Sequence, residues 1–421
     1  MKKLQAPRGT YDVLPDDGRR RLALFNLCQS LFPPNGFEYV ETPIFEDTAL
    51  FARGVGESTD IVQKEMFTFE DQGGRSLTLR PEATAGLCRA YIEHGMHKRP
   101  QPVRVWYAGP FFRHEAPQAG RYRQFAQVDA ETLGSHEPST DAELIVLLAQ
   151  LLDQARCRDL RLRLSSLGTA DTRRAYLDEL RSHLHAHDAE LAPVVRERID
   201  LNPLRAFDSD DEGTRAVMAE APKLLDRLSD EDAAHFAEVR ALLDAAGVEY
   251  ELDPALVRGL DYYTHTVFEF TSEALGAQSG VAGGGRYNGL IELLGGPPTP
   301  GVGWAAGIDR ILLAQDPELT EHWGRAPGPR LFIAPAEPSE RRRAFALLAE
   351  LRGDHVPVEL EQAGRSMKGQ LRHADRIGAR FVLILNGDGG MELKDMKSGE
   401  QRAVSGAEEV ARAIDPEVSG W

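Results

Sequence analysis

The sequence predicts two domains: a larger α+β domain built on a mainly antiparallel sheet with a helical insertion, and then a small α/β domain. A segment rich in proline and glycine, residues 325–329, separates the two. Before it, strand-like runs stand on both sides of a long helical stretch, and after it strands alternate with helices. The 421 residues are enough for two or three domains of ordinary size.

The larger domain is expected over residues 1–325. Two strand-like runs between residues 104 and 131 are joined by a polar, turn-rich loop at 115–120, which is the pattern of a hairpin. Residues 141–155 have the apolar spacing of a helix. From about residue 170 to 246 the chain is rich in Ala, Leu, Glu and Arg, and we interpret this stretch as a helical insertion between two pieces of the sheet.

The smaller domain is expected over residues 330–421. Strands are predicted at 330–334, 356–360 and 381–385, and a hairpin at 391–396 and 400–404. Helices are predicted at 340–352 and 366–377, because each has helical spacing and stops at a glycine. The continuous apolar run at 381–385 is typical of a buried central strand.

Composition excludes several classes of protein. Apolar residues make up 42% of the chain and charged residues 27%, as in ordinary globular proteins. No apolar run approaches the roughly 18 residues of a membrane-spanning helix, and the start lacks the apolar core of a secretory signal. Cys28, Cys88 and Cys157 are too few and too far apart for a disulfide framework or a zinc site. We therefore expect a reduced, cytosolic protein with no membrane contact, and we assign no residue as a metal ligand.

Charge is distributed unevenly along the chain. The net charge of −17 argues against a surface that grips nucleic acid non-specifically. Residues 330–421 carry 14 basic and 15 acidic residues, so almost all of the excess negative charge lies before them. The smaller domain is therefore the favoured place for contact with a polyanion.

One strand carries polar residues on a single face. Within residues 121–131, a period of two puts Gln127, Asp129 and Glu131 on one face and Val128 and Ala130 on the other. If the apolar pair packs on the core, the polar face either points to solvent or floors a cavity. In a cavity, Gln127 and Glu131 could hold an ammonium group. The strand alone leaves both interpretations open.

In two later segments, the same residues could either bind a ligand or have a purely structural role. Arg258, Tyr262 and Tyr263 precede a predicted strand and could bind a phosphate and a polar ring. Alternatively, Arg258 pairs with a nearby carboxylate and the tyrosines are core residues. Residues 283–285 are three glycines, which permit close backbone approach to a ligand but more usually mean a tight turn. They match neither the P-loop nor the dinucleotide-binding spacing.

Two strand-to-helix turns supply further candidates. Residues 301–310 pass from a strand into a helix, so Arg310 either projects toward the end of the sheet or lies on the surface. Glu82 follows Pro81 at the start of another helix, where a carboxylate is favoured by the helix dipole. Glu82 is therefore either a ligand or only a helix-start residue.

Taken together, these segments resemble the histidyl-tRNA synthetase family of class II aminoacyl-tRNA synthetases over essentially the whole chain. Residues 112–125 are similar to motif 2 of the class, and residues 301–310 to motif 3. Residues 36–46, with Pro43, resemble motif 1, the dimer-forming element. Residues 256–263 and 282–289 resemble the two signature peptides of the family, and residues 8–12 resemble its start.

The resemblance implies a class II catalytic domain, an anticodon-binding domain at 330–421, and a site for L-histidine. It implies that Arg113 and Arg258 act as catalytic residues on the α-phosphate of ATP and also touch the histidine. Tyr262 and Tyr263 would line the imidazole pocket. The α-amino group and neighbouring polar atoms would be held by Glu82, Thr84, Gln127 and Glu131.

For ATP, the resemblance implies that Arg113 binds the α-phosphate, Glu115 the adenine, Arg121 the outer phosphates and Arg310 the γ-phosphate. Mg²⁺ on the leaving phosphates would offset their charge, and no side-chain nucleophile is required. The implied reaction joins histidine to AMP and then to the terminal adenosine of its tRNA. The implied assembly is a homodimer.

Four residues depart from the more common family pattern: Ala116, Ala126, Asn288 and Asp309. None of them removes a charge assigned to catalysis. A rival interpretation is a histidine-sensing paralogue, such as the regulatory subunit of ATP phosphoribosyltransferase. Another is an enzyme that activates an amino acid for an acceptor other than tRNA. The presence of Arg258 and of the domain after residue 330 favours the synthetase over the first, and that domain alone favours it over the second.

Overall fold

The computed structural model describes residues 3–56, 59–118, 120–256, 259–276, 279–321, 323 and 328–414. The chain divides into two compact units, Met1–Gly324 and Arg325–Trp421. The predicted fold class is confirmed, because the first unit is built on a mainly antiparallel sheet with helices and the second on a five-stranded α/β sheet.

The strands, in chain order, are β1 (Glu38–Tyr39), β2 (Phe45–Asp47), β3 (Phe67–Glu70), β4 (Ser76–Leu79), β5 (Val103–Phe112), β6 (Gln124–Leu133), β7 (Leu160–Ser166), β8 (Glu251–Leu252), β9 (Thr264–Ser272), β10 (Gly280–Arg286), β11 (Gly301–Gly307), β12 (Leu331–Pro335), β13 (Val358–Leu360), β14 (Phe381–Leu385), β15 (Met391–Asp395) and β16 (Gln401–Ala403). The helices are α1 (Pro15–Leu31), α2 (Thr48–Val55), α3 (Thr84–Glu93), α4 (Pro138–Gln154), α5 (Ala170–Ala186), α6 (Pro193–Arg196), α7 (Glu212–Ala219), α8 (Asp230–Ala245), α9 (Leu290–Leu293), α10 (Ile308–Ala314), α11 (Arg341–Gly353), α12 (Met367–Arg376) and α13 (Ala407–Ile414).

The large sheet of the first unit has the order β1-β5-β6-β11-β10-β9-β7-β8. Its inner pairs are antiparallel, and only the outermost pairs, β1 with β5 and β7 with β8, are parallel. The β5–β6 hairpin is present as predicted, and it pairs in register over the full length of both strands. A separate sheet of order β2-β4-β3 lies in the same unit.

One face of the large sheet is covered by helices. Val128 and Ala130 of β6 are fully buried in an apolar core with side chains of α1, α4, α8 and α10. Burying each large apolar side chain of this core contributes about 1.5–3 kcal/mol. Because neighbouring residues on a strand point to opposite faces, Gln127, Asp129 and Glu131 project from the other face. The helices therefore decide which face is left for a site.

The helical insertion lies between β7 and β9, which pair with each other. Helices α5 to α8 fall within it, as the composition of residues 170–246 predicts. Tyr176, Leu180 and Leu184 recur at helical spacing on α5 and are buried in a second core with Val217 of α7. The same core includes Tyr262 and Tyr263, so the insertion packs behind the segment that carries these tyrosines.

The three glycines at 283–285 do not form a tight turn. They lie inside β10, between β9 and β11. A Cβ atom at Gly284 would stand 2.1 Å from the carbonyl oxygen of Gly303 on β11. Glycine is therefore required at Gly284 because two strand backbones approach each other closely. The tight-turn interpretation is wrong, and the close approach at this residue is to a neighbouring strand and not to a ligand.

The second unit has a five-stranded sheet of order β13-β12-β14-β15-β16. Strand β12 is parallel to both neighbours, and β14, β15 and β16 are antiparallel. Helices α11 and α13 contribute to the core on one face, and α12 contributes to a smaller core that involves the other. Strand β14 is central, as its apolar run predicts. Among the residues that the structure describes, no helix is both long and apolar enough to cross a membrane.

Candidate active site

The polar face of β6 lines a cavity. Asp129 and Glu131 are only 3% and 4% exposed, so the interpretation in which they face solvent is wrong. They line a space of about 160 Å³, here called the acidic cavity. Its wall also includes Glu82, Thr84, Arg113, Gln127, Tyr262, Tyr263, Tyr287 and Gly303.

Glu131 is held in one position by two hydroxyl donors. The Thr84 hydroxyl donates to its Oε1 at 2.8 Å, and the Tyr287 hydroxyl donates to its Oε2 at 2.6 Å. Gly303 is the residue opposite Glu131 in the β6–β11 register. A Cβ atom at Gly303 would lie 1.5 Å from Oε2 of Glu131, so only glycine leaves room for the carboxylate.

Glu82 contacts the start of α3 and also lines the acidic cavity. Its carboxylate accepts hydrogen bonds from the backbone N–H groups of Thr84 and Ala85, at 2.7 and 3.0 Å, at the start of α3. The Tyr262 hydroxyl donates to the same carboxylate at 3.4 Å. Glu82 is therefore the helix-start residue that the sequence allows, and it also lines the acidic cavity.

The acidic cavity favours a cation. Burial raises the pKa of Glu131 to about 8 and raises the pKa of Glu82. The pKa of Asp129 is well above its usual range because of burial and of the neighbouring charges of Glu131 and Glu82. Asp129 Oδ2 and Gln127 Oε1 are buried and accept no hydrogen bond from the described residues. These open acceptors suit the N–H groups of an ammonium ligand.

A second, more polar cavity of about 220 Å³ adjoins the first and is here called the arginine cavity. Its wall includes Arg113, Glu115, Arg121, Tyr122, Ala126, Asp309 and Arg310. Four residues, Arg113, Gln127, Gly283 and Ala305, line both cavities. A ligand in one space is therefore adjacent to a ligand in the other.

Arg113 stands in the shared wall. Its Nε donates to the carbonyl oxygen of Pro81 at 2.9 Å, and its Nη1 lies 3.9 Å from Oε1 of Glu115. The guanidinium also lies over the ring of Phe125, 5.5 Å from its centre. These contacts hold the guanidinium in place in a side chain that lines both cavities.

The remaining cations of the arginine cavity surround an open space. Arg121 Nη1 lies 3.3 Å from Oε2 of Glu115. Arg310 is in the first turn of α10, and its Nε donates to the carbonyl oxygen of Gly280. Burial, and then the positive charge of Arg121, lower the pKa of Arg310. An anion between the two guanidinium groups would relieve this repulsion, and phosphate is the geometrically matched one.

The structure brings together nearly every residue that the resemblance assigns to a ligand. Glu82, Thr84, Gln127, Glu131, Tyr262 and Tyr263 line the acidic cavity, and Glu115, Arg121 and Arg310 line the arginine cavity, with Arg113 in both. Arg258 lies outside the described residues. The surface alternative for Arg310 does not hold, because its side chain lines the cavity.

Sequence reasoning missed two residues of the acidic cavity as site residues. Asp129 is on the same strand face as Gln127 and Glu131, and that shared face was a signal that could have found it. Tyr287 follows the glycine run, and nothing in the local pattern indicates that its hydroxyl reaches Glu131. Of the departures from the family pattern, Ala126 and Asp309 line the arginine cavity, and Ala116 is exposed in the adjoining loop.

An acidic cavity that shares an arginine with a phosphate-sized basic cavity suits an enzyme that joins an ammonium-bearing molecule to a nucleotide. Comparison with known proteins agrees. The family model described as "Histidyl-tRNA synthetase" matches residues 9–311, and the model described as "Anticodon binding domain" matches residues 331–414. The chain belongs to the histidyl-tRNA synthetase family of class II aminoacyl-tRNA synthetases, which confirms the resemblance.

Similar proteins cover nearly the whole length of the chain. A histidine–tRNA ligase of Rubrobacter xylanophilus is 48% identical over 417 residues, 95% of this chain and 96% of the relative. One of Streptomyces coelicolor is 45% identical over 416 residues, 98% of this chain and 97% of the relative. The crystal structure of apo S. aureus histidyl-tRNA synthetase is 34% identical, with a TM-score of 0.80 over 99% of this chain and 100% of that one.

The rival family is similar in fold. An ATP phosphoribosyltransferase regulatory subunit/histidyl-tRNA synthetase from Bacillus halodurans C is 21% identical, with a TM-score of 0.63 over 86% of this chain and 93% of that one. At this identity the likeness concerns the fold alone.

Proposed function

We propose that this chain is a histidine–tRNA ligase that activates L-histidine with ATP and transfers it to the 3′-terminal adenosine of its tRNA. One observation carries the proposal: the acidic cavity and the arginine cavity meet at Arg113. A carboxylate joined to an ammonium group can then meet the α-phosphate of a nucleotide in that wall. The names of the relatives at 45–48% identity supply the substrate.

The acidic cavity accounts for selection of histidine. The ammonium group would be held by Glu131, Gln127 and Glu82, with the Thr84 hydroxyl fixing Glu131. Tyr262 and Tyr263 would line the imidazole pocket. A site that hydrogen-bonds a polar ring rejects analogues without it, because the groups of the site would then be left unpaired.

The first step is an in-line attack. A carboxylate oxygen of histidine forms a bond to the α-phosphorus while the bond from that phosphorus to the pyrophosphate oxygen breaks. Negative charge grows on the non-bridging oxygens, and Arg113 would stabilise it from one side. Arg258 would stabilise it from the other side. In the second step the ribose 3′-hydroxyl attacks the activated carbonyl carbon, and AMP leaves.

Arg121 and Arg310 would hold the outer phosphates, and Glu115 the adenine. Mg²⁺ would arrive with ATP and offset the charge of the leaving phosphates. Mg²⁺ commonly takes only one or two protein carboxylates besides phosphate oxygens. The described residues have no cluster of three or more potential metal ligands, but Glu269 lines the arginine cavity and would supply a carboxylate.

Residues 1–325 would form the catalytic domain and residues 330–421 the anticodon-binding domain, in line with the second family match. We also propose a homodimer that associates through the motif 1 segment. Tyr39, Ile44 and Phe45 in that segment are 48%, 42% and 51% exposed, an apolar group suited to a partner surface. The cysteines Cys28, Cys88 and Cys157 are free thiols, in keeping with a reducing cytosol.

The decisive experiment is exchange of labelled pyrophosphate into ATP, without tRNA, against a panel of amino acids. Exchange with histidine alone is expected, followed by charging of histidine tRNA when it is added. A folded protein that binds histidine without exchange would instead be the regulatory sensor. Exchange without charging of tRNA would favour an enzyme that serves another acceptor.

A further inference from the structure

The N-terminal segment packs against the wall of the arginine cavity. The backbone N–H of Arg123 donates to the carbonyl oxygen of Gly9 at 2.7 Å. Gly9 has a φ of +85°, and a Cβ atom there would lie 2.8 Å from the Arg123 side chain. The segment is therefore fitted closely to the stretch that carries Arg121 and Tyr122.

Tyr11, two residues after Gly9, contacts residues from two parts of the wall of the arginine cavity. Its ring centre is 4.4 Å from that of Tyr122, and its hydroxyl donates to Oδ1 of Asp309. Burial and the hydrogen bond to Asp309 raise the pKa of Tyr11, so the phenol stays protonated as a donor. Tyr122 and Asp309 both line the arginine cavity, whereas Tyr11 itself lies behind them.

Arg21 of α1 completes this group. Its Nη2 contacts Oδ1 of Asp309 and the hydroxyl of Tyr11, and its guanidinium carbon lies 5.6 Å from the centre of the Tyr11 ring. Asp309 is only 8% exposed. A carboxylate buried at the edge of a site for a polyphosphate would repel the ligand unless a cation neutralised it.

Asp309 is also the neighbour of Arg310 in the first turn of α10. A shift of the carboxylate therefore moves the helix start from which Arg310 enters the cavity. Asp309, one of the four departures from the family pattern, is thus a carboxylate anchored by two residues from the N-terminal part of the chain.

We propose that Tyr11 and Arg21 are positioning residues for the nucleotide: they neutralise and hold Asp309, and so keep Tyr122 and Arg310 in place to bind ATP. The inference rests on the proposed function for the identity of the ligand. It predicts an effect on ATP that histidine does not share.

The test measures KM for ATP and for histidine by pyrophosphate exchange in single and double variants. Arg21→Met leaves Asp309 unneutralised, and we expect KM for ATP to rise about tenfold with KM for histidine within about twofold. Tyr11→Phe keeps the ring contact with Tyr122 and loses the hydrogen bond, so a rise of about threefold is expected. Arg19→Met is the matched control, because Arg19 is on the same helix and pairs only with the exposed Asp16 among the described residues.

The double variant Arg21→Met/Asp309→Asn distinguishes an effect of the unneutralised Asp309 charge from a general loss of folding. It removes both members of the ion pair, and we expect KM for ATP to return to within about threefold of wild type. Equal rises of KM for ATP and histidine, or no recovery in a double variant with the wild-type Tm, would overturn the inference.

Failure of the proposed function would look different. If the wild type shows no exchange, ATP binding is measured directly by calorimetry on the same proteins. Weaker ATP binding in Arg21→Met, restored in the double variant, would support the positioning role without the ligase activity. Unchanged ATP binding, or none in the wild type, would overturn it.

Discussion

The acidic cavity and the arginine cavity lie on the same sheet face and share a wall, yet they present opposite charge in different ways. The first gathers three carboxylates that are almost completely buried, Glu82, Asp129 and Glu131. The second places Arg113, Arg121 and Arg310 around a space that they leave partly open to solvent. Arg113 is the one charged side chain that lines both, among the residues the structure describes.

The difference indicates how each cavity would match the charge of the ligand proposed for it. Carboxylates can be buried because protonation relieves them when no cation is present, and their raised pKa values reflect this. A guanidinium group cannot lose its proton near neutral pH, so it needs either solvent or an anion. Under the proposed function, the small ammonium group would therefore bind in the deeper cavity and the large polyphosphate in the more accessible one.

The two cavities are also supported by different parts of the chain. The helical insertion packs behind Tyr262 and Tyr263 of the acidic cavity. The N-terminal segment packs behind Tyr122 and Asp309 of the arginine cavity. Substitutions in the shared wall should therefore change the kinetics with both substrates. Substitutions in the helical insertion should change those with histidine, and substitutions in the N-terminal segment should change those with ATP.

The largest effect is expected in the shared wall. Arg113→Ala removes the cation between the two ligands, and we expect kcat/KM for exchange to fall about 10³-fold for both substrates. Arg113→Lys keeps the charge without the paired donors and should recover only part of the loss. Steady-state exchange kinetics check this, with Arg227→Ala as control because Arg227 pairs with Glu179 in the insertion. A loss confined to one substrate would contradict the shared wall.

The next effect should be confined to histidine. Glu131→Gln removes the carboxylate held by Thr84 and Tyr287, and we expect kcat/KM for histidine to fall about 10²-fold with KM for ATP nearly unchanged. Glu143→Gln is the control, since Glu143 contacts Arg104 outside both cavities. The kinetics of exchange at varied histidine measure this. An equal change for ATP would show that the cavities do not act separately.

The raised pKa of Glu131 predicts a pH dependence of stability without ligand. A glutamate in the unfolded chain has a pKa of about 4.3, whereas burial in the folded state raises the pKa of Glu131 to about 8. Between these values the folded state binds the additional proton, so the free energy of unfolding falls as pH rises. Thermal unfolding at pH 5.5 and 8 should show a smaller fall of Tm for Glu131→Gln than for wild type. An identical fall would mean that Glu131 does not carry this titration.

The smallest effect is expected for the helical insertion, which packs behind the acidic cavity. Arg173 of α5 donates from Nη1 to the carbonyl oxygens of Asp261 and Tyr263, at 3.0 and 3.3 Å, on either side of Tyr262. Arg173→Met should raise KM for histidine about threefold and leave KM for ATP unchanged. The neighbouring exposed Arg174, changed to Met, serves as control in the same exchange assay. A rise in KM for ATP instead would contradict the idea that the helical insertion supports the acidic cavity alone.

Local sequence patterns were sufficient to predict much of the fold. The alternation on β6 separates the core pair Val128 and Ala130 from the polar residues, and the glycine-bounded helices of the second unit follow from spacing alone. Motif order then pointed to residues that, apart from Arg258, all line one or both of the two cavities, and their binding roles stay predictions. The glycine run at 283–285 was harder to interpret, because a tight turn and a close approach of two strands both require glycine.

The sequence by itself determined the fold class, the strand face that carries the carboxylates and the family. These depend on periodicity and spacing, which are properties of neighbouring residues. Only the tertiary structure decided that this face is buried, that Tyr287 reaches Glu131, and that Tyr11 meets Asp309 from 298 positions away. Burial and long-range contact depend on which distant segments pack together, and they set both the pKa of a carboxylate and the position of an arginine.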